Sequence, residues 1–214
     1  MRFLTKLGIS YFPHLCNLEA RWRRSAITQG FRNSLQEDFD DIRDHLPNQP
    51  KRILDIGCGL GGIDVFLSDR FGSMAPHFYL LDKTSVEQSI FYEFHEQAAF
   101  YNSLILAREF LSLNGVKASS ITCLEAAPDN RIDIEPGLDL VISLISWGFH
   151  YPVTTYLAEV GRALSPSGVV ILDVRKGTAG LRELRSLFSE VRVISEKPKF
   201  LRLLARNSSA HGSS

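Results

Sequence analysis

Short apolar runs bounded by turn residues alternate along the chain with stretches whose apolar positions recur at helical spacing. The runs Arg52 to Asp55, His77 to Leu81, Ile121 to Leu124, Leu138 to Leu144 and Val169 to Val174 are expected to be strands. In the fourth, D-L-V-I-S-L is almost continuously apolar, which fits a strand covered on both faces. Helical spacing predicts helices over Gly61 to about Arg70, Ser85 to Leu113, Val153 to Leu164 and Ala179 to Phe188. Asn114-Gly115 and Ser165-Pro166-Ser167-Gly168 are expected to close the second and third of these. The second is rich in aromatic residues (Phe91, Tyr92, Phe94, Phe100, Tyr101, Phe110), and a break is expected near His95. Val191 to Ser195 and Phe200 to Ala205 flank Glu196-Lys197-Pro198-Lys199 closely enough to pair as a hairpin.

Strand and helix thus alternate through five rounds before a terminal hairpin. The pattern predicts a single α/β domain: a Rossmann-like, doubly wound, mostly parallel seven-stranded sheet ending in an antiparallel hairpin. Ahead of it, Asn17 to about Leu46 is helical in pattern, basic early and acidic late, and Pro47-Asn48-Gln49-Pro50 breaks it. Three segments follow: an N-terminal helical extension over 1–50, the sheet domain over 51–206, and a Ser-, Gly- and His-bearing tail over 207–214 that is expected to be disordered. The first 36 residues are basic enough to pass for a transit peptide, but Leu15, Leu18, Trp22 and Ile27 look like docking positions of a folded extension.

Composition narrows the setting. With 214 residues, 44% of them hydrophobic, one core suffices. Lys and Arg number 24, as do Asp and Glu, so no net charge draws the chain to DNA or to an anionic membrane. No apolar run is long enough to span a bilayer. Cys16, Cys58 and Cys123 share no close spacing, which suits neither disulfides nor a thiolate zinc site and fits a reducing, cytoplasmic location. No bound metal is expected; oligomeric state is left open.

The chemistry gathers at R-I-L-D-I-G-C-G-L-G-G-I-D, Arg52 to Asp64. Glycines let the backbone take positive φ and approach a ligand, and the helix that follows offers unpaired N–H groups. Gly57, Gly59 and Gly62 match the dinucleotide fingerprint G-x-G-x-x-G. Yet Asp55 lies two residues before the first glycine, where it would repel a pyrophosphate and attract an ammonium. Gly61-Gly62 doubles the glycine, and the chain ends in a hairpin instead of a second βαβ half. S-adenosylmethionine carries an ammonium, a ribose and an adenine without phosphate.

From Lys51 to Arg206 the chain resembles the class I methyltransferase family. The resemblance is carried by L-D-I-G-C-G-L-G-G at Leu54 to Gly62, Y-L-L-D at Tyr79 to Asp82, L-D-L-V-I-S at Leu138 to Ser143, and the run from Tyr156 to Asp173. It implies S-adenosylmethionine as cofactor. Asp55 would orient the methionine moiety, with Gly57, Cys58 and Gly59 making room for it. Asp82 would accept the ribose hydroxyls beside Lys83, Glu125 and Ala126 would meet the adenine, and Ser143 would lie alongside. The family often has Asp where Glu125 stands. Methyl transfer to a hydroxyl needs an acceptor held in line and a base. His150 is the expected base, with Trp147, Phe149 and Tyr151 walling the pocket and His95, Tyr101, Asn102 and Arg175 as further acceptor contacts.

The expected activity is methyl transfer to a hydroxyl, less readily an amine, of a small polar acceptor such as a sugar or secondary metabolite; a tRNA or protein acceptor stays open. Two alternatives stand: an NAD(P)-dependent oxidoreductase built on the glycine turn, and a methyltransferase-like domain that only binds or scaffolds.

Overall fold

The protein was analysed as a computed structural model, which describes residues 29–83 and 103–207. The chain divides into two compact units, Met1–Asp38 and Phe39–Ser214. Residues 29–42 form helix α1, within which that division falls, and a 3-10 turn at Arg43–His45 follows. The earlier part of the expected N-terminal helix lies outside the described residues, as do most of the tail and residues 84–102.

The larger unit is built on seven strands: β1 (Arg52–Ile56), β2 (His77–Asp82), β3 (Ile121–Glu125), β4 (Leu138–Ser143), β5 (Leu164–Arg175), β6 (Glu190–Glu196) and β7 (Phe200–Arg206). They form one sheet in the order β3-β2-β1-β4-β5-β7-β6. Strands β1 to β5 pair in parallel, and β7 runs antiparallel to both of its neighbours, β5 and β6. The doubly wound sheet and its C-terminal hairpin are therefore as the sequence pattern predicts.

Helices α2 (Gly62–Phe71), α3 (Leu104–Leu113), α4 (Leu157–Ala163) and α5 (Gly180–Leu187) pack on the sheet. Side chains alternate across a strand, so neighbouring residues feed opposite layers. Ile53, Leu140, Ile142 and Ile171 pack with Leu67 and Phe71 of α2 and Leu111 of α3. Leu54, Ile56, Val141, Val170 and Leu172 pack with Val160 of α4 and Leu184 of α5. Both faces are covered, which is why β4 reads as an unbroken apolar run.

Two expected boundaries shift. The third predicted helix is split: a 3-10 turn at Val153–Thr155 precedes α4, and α4 ends at Ala163. Ser165 to Gly168, expected as a turn, lies within β5, where the register to β4 jumps between Leu138↔Leu164 and Leu140↔Val169. This irregularity admits Pro166, which a regular ladder would not. Gly168 passes so near β4 that a Cβ would stand 2.6 Å from the Leu138 carbonyl oxygen.

Of the long aromatic helix, the described part is α3, capped by Ser103, whose Oγ accepts from the Leu106 N–H at 3.3 Å. The expected break at His95 lies outside the described residues. The chain reverses its winding direction between β1 and β4, so the cleft that can hold a ligand opens beyond the carboxyl ends of these strands.

Candidate active site

The glycine turn leaves β1 at Ile56 and is fastened to β2 by its backbone. The Gly57 N–H donates to the Leu81 carbonyl at 2.7 Å, and the Gly59 N–H donates to Asp82 Oδ2 at 2.7 Å. Gly57, Gly59 and Gly61 take φ of 75°, 55° and 70°, the left-handed region in which a side chain is strained. A Cβ on Gly57 would fall onto the Ser146 side chain, whereas one on Gly59 would meet no described residue within 4 Å. The turn is thus closed at Gly57 and open at Gly59. Gly61 begins α2 without a side-chain cap, which leaves first-turn N–H donors of that helix for another partner.

Three carboxylates surround this turn. Asp82 ends β2, its Oδ1 accepting from the Lys83 N–H at 2.7 Å. Asp55 faces Leu80 and Ile142 across the sheet, so it sits inside the strand ends and is only 2% exposed. Asp64, in the first turn of α2, is wholly buried, and among the described residues neither of its oxygens meets a hydrogen-bond donor. Burial, then the charges of Asp64 and Asp82, pushes the Asp55 carboxyl well above the usual carboxylate range. Burial likewise raises Asp64. Burial, then the charges of these acids, pushes the Cys58 thiol up, so it stays protonated.

Glu125 stands level with Asp82 on the neighbouring strand, and the Ala126 N–H donates to the Asp82 carbonyl at 2.9 Å. The two expected cofactor acids therefore lie side by side, Asp82 buried and Glu125 exposed.

The segment after β4 wraps toward the turn. Ser143 is a structural clamp: its buried hydroxyl donates to the Ile56 carbonyl at 2.7 Å and accepts from the Trp147 N–H at 2.9 Å. Both partners of this hydroxyl are protein backbone. Trp147, expected as pocket wall, is instead core. It is fully buried, and its indole N–H donates to the Val153 carbonyl at 2.8 Å.

Ser146 and Tyr151 take the place next to the turn, Oγ and OH 3.0 Å apart. Burial pushes the Tyr151 phenol up to about 12, so it is protonated at neutral pH. His150 and Phe149 donate their N–H groups to the Ser146 carbonyl. The His150 ring meets Phe149 edge-on at 5.0 Å, and the Arg175 guanidinium lies 4.9 Å from the centre of the same Phe149 ring. Partial burial, then the charge of Arg175, lowers the His150 pKa. His95, Tyr101 and Asn102 lie outside the described residues.

Sequence reasoning passed over Asp64 and Ser146. Asp64 had a signal: with Leu67 and Phe71 it occupies the helical stripe that faces the core. Ser146 had none, since only the fold brings it onto Gly57. Among the described residues no group of His, Cys, Asp and Glu is arranged to hold a metal ion, and no helix is long and apolar enough to cross a membrane. A surface hollow between α3 and β3, lined by Leu104, Ile105, Arg108 and Cys123, lies apart from the strand ends.

No protein-family model matches the sequence, and no curated protein matches it. Solved structures do match by shape. One from Nostoc punctiforme, described as an O-methyltransferase, aligns with a TM-score of 0.57 at 16% identity over 86% of this chain. A precorrin methyltransferase from Geobacter metallireducens aligns at 0.55 and 18% identity over 84% of this chain and 89% of its own. A 16S rRNA methyltransferase from T. thermophilus, solved with AdoMet and guanosine, aligns at 0.55 and 14% identity over 79% of this chain. The chain spans 58% of the length of the first and 42% of the third. At such identities the likeness shows the fold: this chain shares the fold of these solved methyltransferases.

Proposed function

We propose that this protein is an S-adenosylmethionine-dependent methyltransferase that acts on a hydroxyl, less readily an amine, of a small polar acceptor. The observation that carries this reading is the acidity of the glycine turn. Asp55, Asp64 and Asp82 surround it, and three carboxylates would oppose a pyrophosphate while favouring a ligand that brings an ammonium and a ribose. The open side of Gly59 leaves room for such a ligand against the backbone. The same acidity weighs against a nicotinamide dinucleotide.

When bound, S-adenosylmethionine supplies an electrophilic methyl group on a sulfonium. Asp55 attracts the ammonium end. Asp82, held rigid by the Gly59 and Lys83 N–H groups, presents its carboxylate to the ribose hydroxyls. Ala126 and Glu125 border the adenine. On the acceptor side, His150 is neutral at physiological pH and takes the hydroxyl proton, whereas Tyr151 keeps its own proton and acts as a donor. Arg175, held against Phe149, attracts an anionic part of the acceptor. The structural neighbours named above differ in their acceptors, so a sugar or secondary metabolite remains part of the proposal, as does a cytoplasmic setting.

Calorimetry with S-adenosylmethionine and with NAD tests the cofactor. The first should bind and the second should not, and the reverse would sink the reading. Asp82→Ala should weaken S-adenosylmethionine binding roughly 10- to 100-fold, the worth of a hydrogen bond to a charged group. Transfer of a labelled methyl group across a panel of hydroxyl and amine acceptors separates an enzyme from a binding domain.

A further inference from the structure

Asp64 presents an unusual problem. It is wholly buried on the sheet-facing side of α2, and among the described residues neither carboxylate oxygen receives an N–H or O–H donor. A buried carboxylate with no donor is strongly disfavoured. The polar group it does meet is the carboxyl of Asp55 on β1. Two carboxylates in contact repel, and they hydrogen-bond only when one of them carries a proton.

The surroundings favour keeping that proton. Asp82 on β2 adds a third negative charge toward Asp55, and Cys58 in the turn feels all three acids. Tyr151, from the segment after β4, feels Asp82 and Asp55 and adds no positive charge. Among the described residues, every titratable group acting on the pair is thus an acid. Asp55, 2% exposed, keeps a trace of contact with solvent at the strand end, whereas Asp64 has none.

We propose that Asp64 is a positioning residue of this site: its carboxyl shares one proton with Asp55 while the turn is empty, which fixes the orientation of Asp55. This rests on reading the turn as an S-adenosylmethionine site. The consequence is an exchange of cations. When a primary ammonium settles on Asp55, the shared proton leaves to solvent. One positive charge departs as one arrives, so the net charge buried behind the turn stays constant. Binding of a ligand that bears an ammonium is then coupled to proton release and tightens as pH rises, whereas binding of the same nucleoside without its amino-acid end is not.

The test has two readouts. In the cofactor-free protein, carbon-13 labelled aspartate carboxyls are followed by NMR against pH. One carboxyl pair should titrate near neutrality, and Asp64→Asn should abolish that titration, because its amide donates permanently to Asp55. If every aspartate titrates below about pH 5, the ordinary range, the proposal is overturned.

Separately, calorimetry near pH 6, below the titration of the pair, in two buffers of different protonation heat counts protons. S-adenosylmethionine should release close to one proton from the wild type and none from Asp64→Asn, and methylthioadenosine should release none from either. Binding of S-adenosylmethionine without proton release overturns the proposal. Titration near neutrality without any uptake of S-adenosylmethionine upholds the shared proton and overturns the cofactor reading instead.

Discussion

His150 illustrates how little a side chain says before its neighbours are placed. Partial burial and the Arg175 guanidinium across Phe149 hold its imidazole below the ordinary value, so the neutral form dominates at physiological pH. If it removes the acceptor proton, kcat/KM should rise with pH through an inflection below about 6.5, the unperturbed histidine value. Arg175→Gln should move that inflection upward, since the depressing charge is gone. A pH profile that is flat across this range in the wild type assigns the proton elsewhere. His150→Ala should leave S-adenosylmethionine affinity unchanged while turnover drops by about 10²-fold or more, the usual worth of a general base.

One element, the segment joining β4 to α4, carries the residues proposed for the acceptor side, and it combines strain with charge. Ile145 has φ 53°, a left-handed conformation that costs a β-branched residue dearly. Its N–H donates to Asp173 Oδ2 at 3.1 Å. Asp173 is in turn gripped by Arg202 of β7 through two bonds, at 2.8 and 2.9 Å, with both side chains fully buried. Arg202 also reaches Asp41, which accepts from Ser195 and pairs with Lys197. The hairpin therefore anchors the segment that carries Ser146, His150 and Tyr151. Arg202→Ala should cost about 3–5 kcal/mol, because it strands the buried Asp173 charge. Urea unfolding reads this directly. Arg202→Met combined with Asp173→Asn should recover much of the loss, and equal destabilisation in the single and double variants would mean that the pair does not carry the effect.

At the scale of the whole molecule, the buried acids should shape stability against pH. Asp55 and Asp64 have folded pKa values raised above their unfolded ones, so their contribution is full below about pH 4 and is lost as pH rises toward their folded values. Asp41 and Glu159 act in the opposite sense: they are lowered by their partners, and their contribution is lost as pH falls below the ordinary carboxylate range. From about pH 4 toward neutrality the acid pair should dominate, with a slope near 1.4 kcal/mol per pH unit for each proton the folded state retains. Asp64→Asn should flatten that slope and melt higher than the wild type at neutral pH but not at about pH 4. Thermal unfolding across this range checks both statements.

The sequence by itself determined the sheet, its doubly wound order, the terminal hairpin and the place of the glycine turn. These follow from local periodicity and from residues such as Gly57 and Asp82, whose chemistry is legible where they stand. It also held a trace of Asp64, in the stripe that continues to Leu67 and Phe71. The tertiary structure decided which neighbours each group has. It turned Ser143 into a clamp between two strands and Trp147 into core, because hydrogen-bond partners 87 residues apart, such as Ile56 and Ser143, leave no mark on local pattern. It set Ser146 against Gly57 and placed Arg202 under Asp173 across 29 residues. Burial and charge act through space: it is the neighbourhood of Asp64 in the folded chain, enclosed beside Asp55, that raises its carboxyl above the usual carboxylate range.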